Sequence, residues 1–156
     1  MKVRTITLAL AMLTVSVGLW AQQDPLIGTW KLNLAKSKFS PGPAPKSQTI
    51  KYEPSGNNGV KLTFDIVDAQ GNSTHGGYTA HYDGKDYPYT GNPDADVLSM
   101  KRIDAYTTDA TWKKAGKVTR TIRRVVSKDG KTLTITLKGT NVQGQPVNDL
   151  TVYDKQ

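Results

Sequence analysis

The side chains best placed to do chemistry in this sequence are arginines set among apolar residues. From Lys117 to Ser127 the chain alternates, with Val118, Arg120, Ile122, Arg124 and Val126 on one face and Thr119, Thr121, Arg123, Val125 and Ser127 on the other. A guanidinium on an inward, apolar face is costly unless it is paired, and it suits the bidentate grip of a carboxylate or phosphate. Arg120 and Arg124 are therefore candidate anchors for an anionic group. The structural alternative has one of them stacked on an aromatic ring and the other reaching solvent at a rim. Aromatic residues form a second set: Tyr78 and Tyr82 share a face with Ala80, Tyr106 and Trp112 share one with Ala110, and Tyr52 shares one with Ile50. Tyr78, Tyr82, Tyr106 and Trp112 are candidate ligand-binding residues, since such rings either line a pocket or fill a core.

Catalytic and metal-binding patterns are thin by comparison. His75 and His81 point the same way on one strand but stand roughly 20 Å apart at about 3.3 Å per residue, too far to share a metal ion. Asp94 and Asp96 lie in an Asn-Pro-Asp turn with no twelve-residue calcium-loop pattern around them. Glu53 is the only glutamate and there is no cysteine, which excludes thiol chemistry and thiolate metal sites. No Gly-x-Ser-x-Gly elbow occurs either. The expectation is a protein that is not an enzyme, with no catalytic residue, no metal and no cofactor.

The elements that must hold these residues are strands. Val60, Leu62, Phe64 and Ile66 alternate with Lys61, Thr63 and Asp65, and Leu133, Ile135 and Leu137 alternate with Thr132, Thr134 and Thr136. Period two with one apolar face marks half-buried strands. They are expected near 26–34, 47–53, 59–68, 73–83, 86–90, 96–103, 106–114, 117–127, 131–140 and 146–154. Turn signals such as Asn57-Asn58-Gly59, Asp83-Gly84, Ala115-Gly116, Asp129-Gly130 and Gln143-Gly144 separate them, so most neighbours should be antiparallel hairpins. Ser37 to Ser47 breaks the rhythm. Its Pro41, Pro43 and Pro45 remove backbone donors and predict a surface lid without helix.

At the N-terminus, Lys2 and Arg4 precede an apolar run from Ile6 to Trp20, which reads as an export signal over residues 1–21. Residues 22–156 then have the size of one domain, with no stable membrane insertion once the signal is cleaved. Export without cysteine points to the bacterial periplasm or secretion and argues against a nucleic-acid partner. The formal charge is +8, and eleven Lys or Arg between Lys101 and Lys138 face only Asp104, Asp109 and Asp129. Such an excess attracts anions or simply solvates a sheet face.

Gly28-Thr29-Trp30 opens this strand series. It resembles the Gly-x-Trp entry of the calycins, the lipocalin and fatty-acid-binding-protein group, in which the Trp closes one end of a barrel. The later order Trp112, Gly116-Lys117, Arg124, Asp129-Gly130-Lys131 and Val152-Tyr153-Asp154-Lys155 is similar to that of fatty-acid-binding proteins, and Arg124 takes the place of one of their interior arginines. Two departures stand out: the proline-rich segment replaces a helical portal, and Thr151 stands where an Arg usually precedes the closing Tyr. The resemblance implies an all-β fold, a single antiparallel up-and-down barrel of about 8–10 strands. It also implies a partner that is a small apolar or amphipathic ligand, anionic ones included. The alternative is a packed barrel that works through its surface as an inhibitor or interaction module.

Overall fold

The structure, a computed structural model, describes residues 23–156, so the expected export signal lies outside the described residues. Ten strands follow in order: β1 (Gly28–Leu32), β2 (Ser47–Pro54), β3 (Gly59–Val67), β4 (Ser73–His81), β5 (Asp83–Thr90), β6 (Val97–Arg102), β7 (Thr107–Lys114), β8 (Lys117–Val126), β9 (Thr132–Thr140) and β10 (Pro146–Lys155). Each pairs antiparallel with the next, and β1 pairs with β10 to close an up-and-down barrel. The alternation of apolar and polar residues puts Ile50, Tyr52, Leu62, Phe64, Leu98, Met100, Ile122 and Leu133 inside. Closure leaves no free sheet edge among these strands.

Trp30 seals one end. It is 0 % exposed, and its indole N–H donates to the Leu26 carbonyl at 2.8 Å. The cation over its ring is Lys155, at 5.0 Å, rather than an interior arginine. Arg102 and the Tyr82 hydroxyl both donate to Asp24 beside it, with the Arg102 guanidinium 4.1 Å from the centre of the Tyr82 ring.

Three local expectations need correction. Leu34 does not extend β1; it starts a short 3-10 turn, Leu34–Lys36, and is 44 % exposed. The β4–β5 turn falls at Tyr82, so Asp83-Gly84 opens β5, where the pairing with β6 shifts between Asp83 and Asp86. Val118 does not share the inner face of β8. Trp112 pairs with Arg120 and Lys113 with Val118, leaving Thr119 as an extra residue in a bulge, and Val118 turns out to 57 % exposure. Gly139 of β9, opposite Arg120, makes room for the bulge: a Cβ there would stand 2.0 Å from the Thr119 carbonyl oxygen.

The segment from Ser37 to Ser47 contains no helix. It is laced to β10, where Lys38 and Leu150 exchange backbone bonds, the Asn148 N–H donates to the Ser40 carbonyl, and the Ser40 N–H donates to Asp149.

Candidate functional site

Opposite the Trp30 end, the barrel opens into a cavity of about 440 Å³. Its walls are largely apolar, with Leu62, Phe64, Ile66, Ile122, Ile135 and Leu137 contributed by β3, β8 and β9. Phe39 from the proline segment and Asn92-Pro93-Asp94 from the β5–β6 loop border the mouth. Phe64, Tyr78 and Trp112 each meet the Tyr89 ring edge-on, at centroid distances of 6.1, 5.1 and 5.5 Å. Such edge-to-face contacts hold the rings in fixed orientations along one side of the cavity.

The two inward arginines occupy different depths. Four residues of strand separate them, about 13 Å at 3.3 Å per residue. Arg120 stands toward the mouth and is 4 % exposed. It donates to Asp94 at 2.7 Å, to the Thr119 carbonyl at 3.2 Å and to the Thr140 carbonyl. Asp94 in turn accepts from the Val142 N–H at 2.9 Å, and the Thr119 hydroxyl donates to the Asp94 carbonyl at 2.6 Å. Arg120 is thus occupied in tying the β5–β6 and β9–β10 loops together at the rim.

Arg124 lies deeper, is 3 % exposed, and has no such partners among the described residues. Its Nε and Nη1 are sealed from solvent without a hydrogen bond, as are the hydroxyls of Tyr52, Tyr78 and Thr108 and the indole nitrogen of Trp112. Burial works against the charge of Arg124, yet its pKa stays above the usual value because the neighbouring Tyr52, Tyr78 and Tyr89, in their phenolate forms at high pH, favour the cation. Burial pushes Tyr89 up to about 12 and Tyr78 well above the ordinary phenol range. Tyr78 and Tyr89 therefore stay neutral beside a permanent cation.

Of the residues singled out from sequence, Arg120, Arg124 and Trp112 line the cavity, and Tyr78 lies directly behind Tyr89. Tyr82 and Tyr106 do not join them. Tyr82 belongs to the Asp24–Arg102 cluster at the closed end, and Tyr106 sits in the β6–β7 turn, where its N–H donates to Asp104. Each lies one residue outside its strand, beyond the alternation that would aim it into the cavity.

Tyr52, which the sequence marks as sharing a face with Ile50, also lines the cavity, together with Tyr89, Asp94 and Asp149, which no pattern singles out as site residues. Parity alone could have found Asp149, which shares the inner face of β10 with Thr151 and Tyr153. Burial raises its pKa, opposed by the Ser40 N–H and by Arg120. Elsewhere, His75 is exposed against Asp65 at 2.8 Å, and Asp96 accepts from the Ala115 N–H. No group of three or more His, Asp or Glu side chains able to hold a metal ion occurs among the described residues.

No protein-family model and no curated protein matches the chain. Among solved structures, wild-type fluorescent protein UnaG superposes with a TM-score of 0.54 at 15 % identity, over 83 % of this chain and 96 % of that one. A point mutant of UnaG gives 0.55 at 15 %, over 85 % and 96 %. The tryptamine complex of the amine-binding protein of Rhodnius prolixus is more distant, at 0.44 and 11 %, over 84 % and 64 %. In fold, this chain is a closed ten-stranded antiparallel barrel similar to that of UnaG.

Proposed function

We propose that this protein binds a small amphipathic anion inside its barrel, with the anionic head on Arg124 and the apolar body along the cavity toward the mouth. The observation that carries this reading is a buried, permanently charged guanidinium whose Nε and Nη1 have no hydrogen-bond partner among the described residues, at the foot of an apolar cavity of about 440 Å³. A charge in that position costs several kcal/mol unless an anion meets it, and a ligand carboxylate does so with two parallel bonds. The protein works by binding rather than by catalysis, outside the cytoplasm after removal of residues 1–21. The alternative, a packed barrel acting through its surface, has less support, because the cavity exceeds the roughly 300 Å³ at which small-molecule sites begin.

Native mass spectrometry of the purified protein should reveal a co-purified amphiphile. Calorimetric titration with tetradecanoate should then separate the arginines of β8. Arg124→Leu should weaken binding by at least about tenfold, one charge-assisted contact being worth about 1.5–3 kcal/mol. Arg123→Leu should leave it unchanged, because Arg123 pairs with Asp109 on the outer face. Equal affinities in the two variants would overturn the reading.

A further inference from the structure

The lower end of the cavity holds more unsatisfied donors than a ligand head alone explains. Arg124 and Thr108 are direct cross-strand partners on β8 and β7, and both are buried. Tyr52, Leu62 and Tyr78 are consecutive partners across β2, β3 and β4, which places the two phenols at one level of the barrel. The Tyr52 and Tyr78 hydroxyls lie close enough to each other and to Arg124 to influence its titration. Tyr52 is near enough to interact with both Tyr78 and Arg124, yet none of the Tyr52, Tyr78 and Thr108 hydroxyls and neither Nε nor Nη1 of Arg124 has a well-formed hydrogen bond among the described residues, and each is closed to bulk water.

Among the described residues, no carboxylate in this neighbourhood is available as counter-charge. Asp94 is taken by Arg120. Asp109, whose carboxyl Arg123 and more weakly Arg124 hold low, is on the outer face in a bidentate pair with Arg123. Tyr78 and Tyr89 remain protonated over the whole physiological range. Arginine does not deprotonate in proteins, so neutralising itself is not an option. Water would satisfy the donors but leave the charge. A small anion does both, accepting from the hydroxyls and the guanidinium together.

We propose that Arg124, Tyr52, Tyr78 and Thr108 form an internal site for a small inorganic monovalent anion, of which chloride is the type, and that a ligand carboxylate displaces it. The displacement rests on the cavity reading given above; the anion site does not. The site makes ligand binding an exchange of one anion for another, so Arg124 need never be left as a bare buried charge.

Thermal unfolding of the full protein in sodium chloride and in sodium gluconate of equal ionic strength tests this, because the strongly hydrated polyhydroxyl chain of gluconate is unsuited to the apolar cavity that leads to Arg124. Wild type should gain about 5 °C in Tm, saturably, as chloride replaces gluconate. The gain should be lost in Arg124→Leu. It should shrink to half or less in Tyr52→Phe/Tyr78→Phe, which keeps the charge and the ring volumes and so covers the case in which Arg124→Leu does not fold. Saturating tetradecanoate should abolish the chloride dependence. Identical Tm values for wild type in the two salts would overturn the anion site, even if tetradecanoate binds through Arg124. A saturable chloride effect without tetradecanoate binding would uphold the anion site and overturn the amphiphile reading instead.

Discussion

The two ion pairs that involve β8 arginines differ in how much water they see, and the consequences should differ accordingly. The Arg120 and Asp94 side chains are 5 % and 19 % exposed, whereas Arg123 and Asp109 are 59 % and 35 % exposed. Asp94→Asn leaves a buried guanidinium short of its counter-charge and should cost about 3–5 kcal/mol in urea unfolding. Asp109→Asn should cost less than about 1 kcal/mol, since exposed pairs are screened and entropically opposed. Trp30→Ala should also be severe, about 3–5 kcal/mol, because the variant loses a fully buried ring and leaves a cavity at the closed end. Asp149 makes the pH dependence unusual. Burial raises its carboxyl above the ordinary value, so the folded state binds this proton more tightly than the unfolded chain does. Its effect on stability is therefore unfavourable once ionised: stability falls as pH rises from the unfolded carboxylate pKa through the raised folded one. Asp149→Asn should flatten that fall, and only that one, when urea midpoints are compared across the mildly acidic range.

At the scale of single elements, the period-two pattern made nearly every strand legible, because an antiparallel wall with one wet face writes its geometry directly into residue type. The inner face of β8 was readable down to both buried arginines. What alternation could not convey is where it stops. Val118, Tyr82 and Tyr106 were misplaced by a bulge or by a strand end one residue away, and neither has a residue-type signature in this chain. Which arginine has a partner was equally hidden, since the partner of Arg120 comes from a turn 26 residues away whose Asn-Pro-Asp composition fully accounts for itself as a turn. The β7–β8 hairpin carries its own test of this local logic. Its turn pairs Lys114 with Lys117 around Ala115 and Gly116, with φ angles of 48° and 76°. The Ala115 Cβ is strained in that left-handed region, so Ala115→Gly should stabilise the protein by about 1 kcal/mol in chemical denaturation, a reversal of the usual penalty for glycine in a β-rich segment.

Across the whole barrel, pairing is uneven, and the unevenness lies beside the cavity. β9 and β10 pair over nine residues and β3 and β4 over nine, whereas β4 and β5 share only Gly77 with Thr90 and Tyr78 with Tyr89. The β1–β10 closure has three pairs, but it is backed by Trp30, by Lys155 and by the Lys38–Leu150 bridge. The β4–β5 seam has less of this support. Gly76 and Gly91 bring its backbones so close that a Cβ on Gly76 would stand 2.2 Å from the Thr90 carbonyl oxygen and 2.8 Å from the Gly91 Cα. Its cohesion rests on the edge-on Tyr78–Tyr89 contact, and both rings neighbour Arg124. Few ladder bonds and few side chains to bury mean a low free energy of local opening. Hydrogen exchange should therefore find the backbone amides of β4 and β5 that face this seam exchanging well before those of β9 and β10. Tyr89 and Trp112 line the same cavity as Arg124, so the proposed ligand at Arg124 would meet them too and should slow exchange at this seam more than anywhere else in the barrel. Uniform protection across the ten strands, or slowing confined to the mouth loops, would show that the seam does not open independently and that Arg124 is not where the ligand sits.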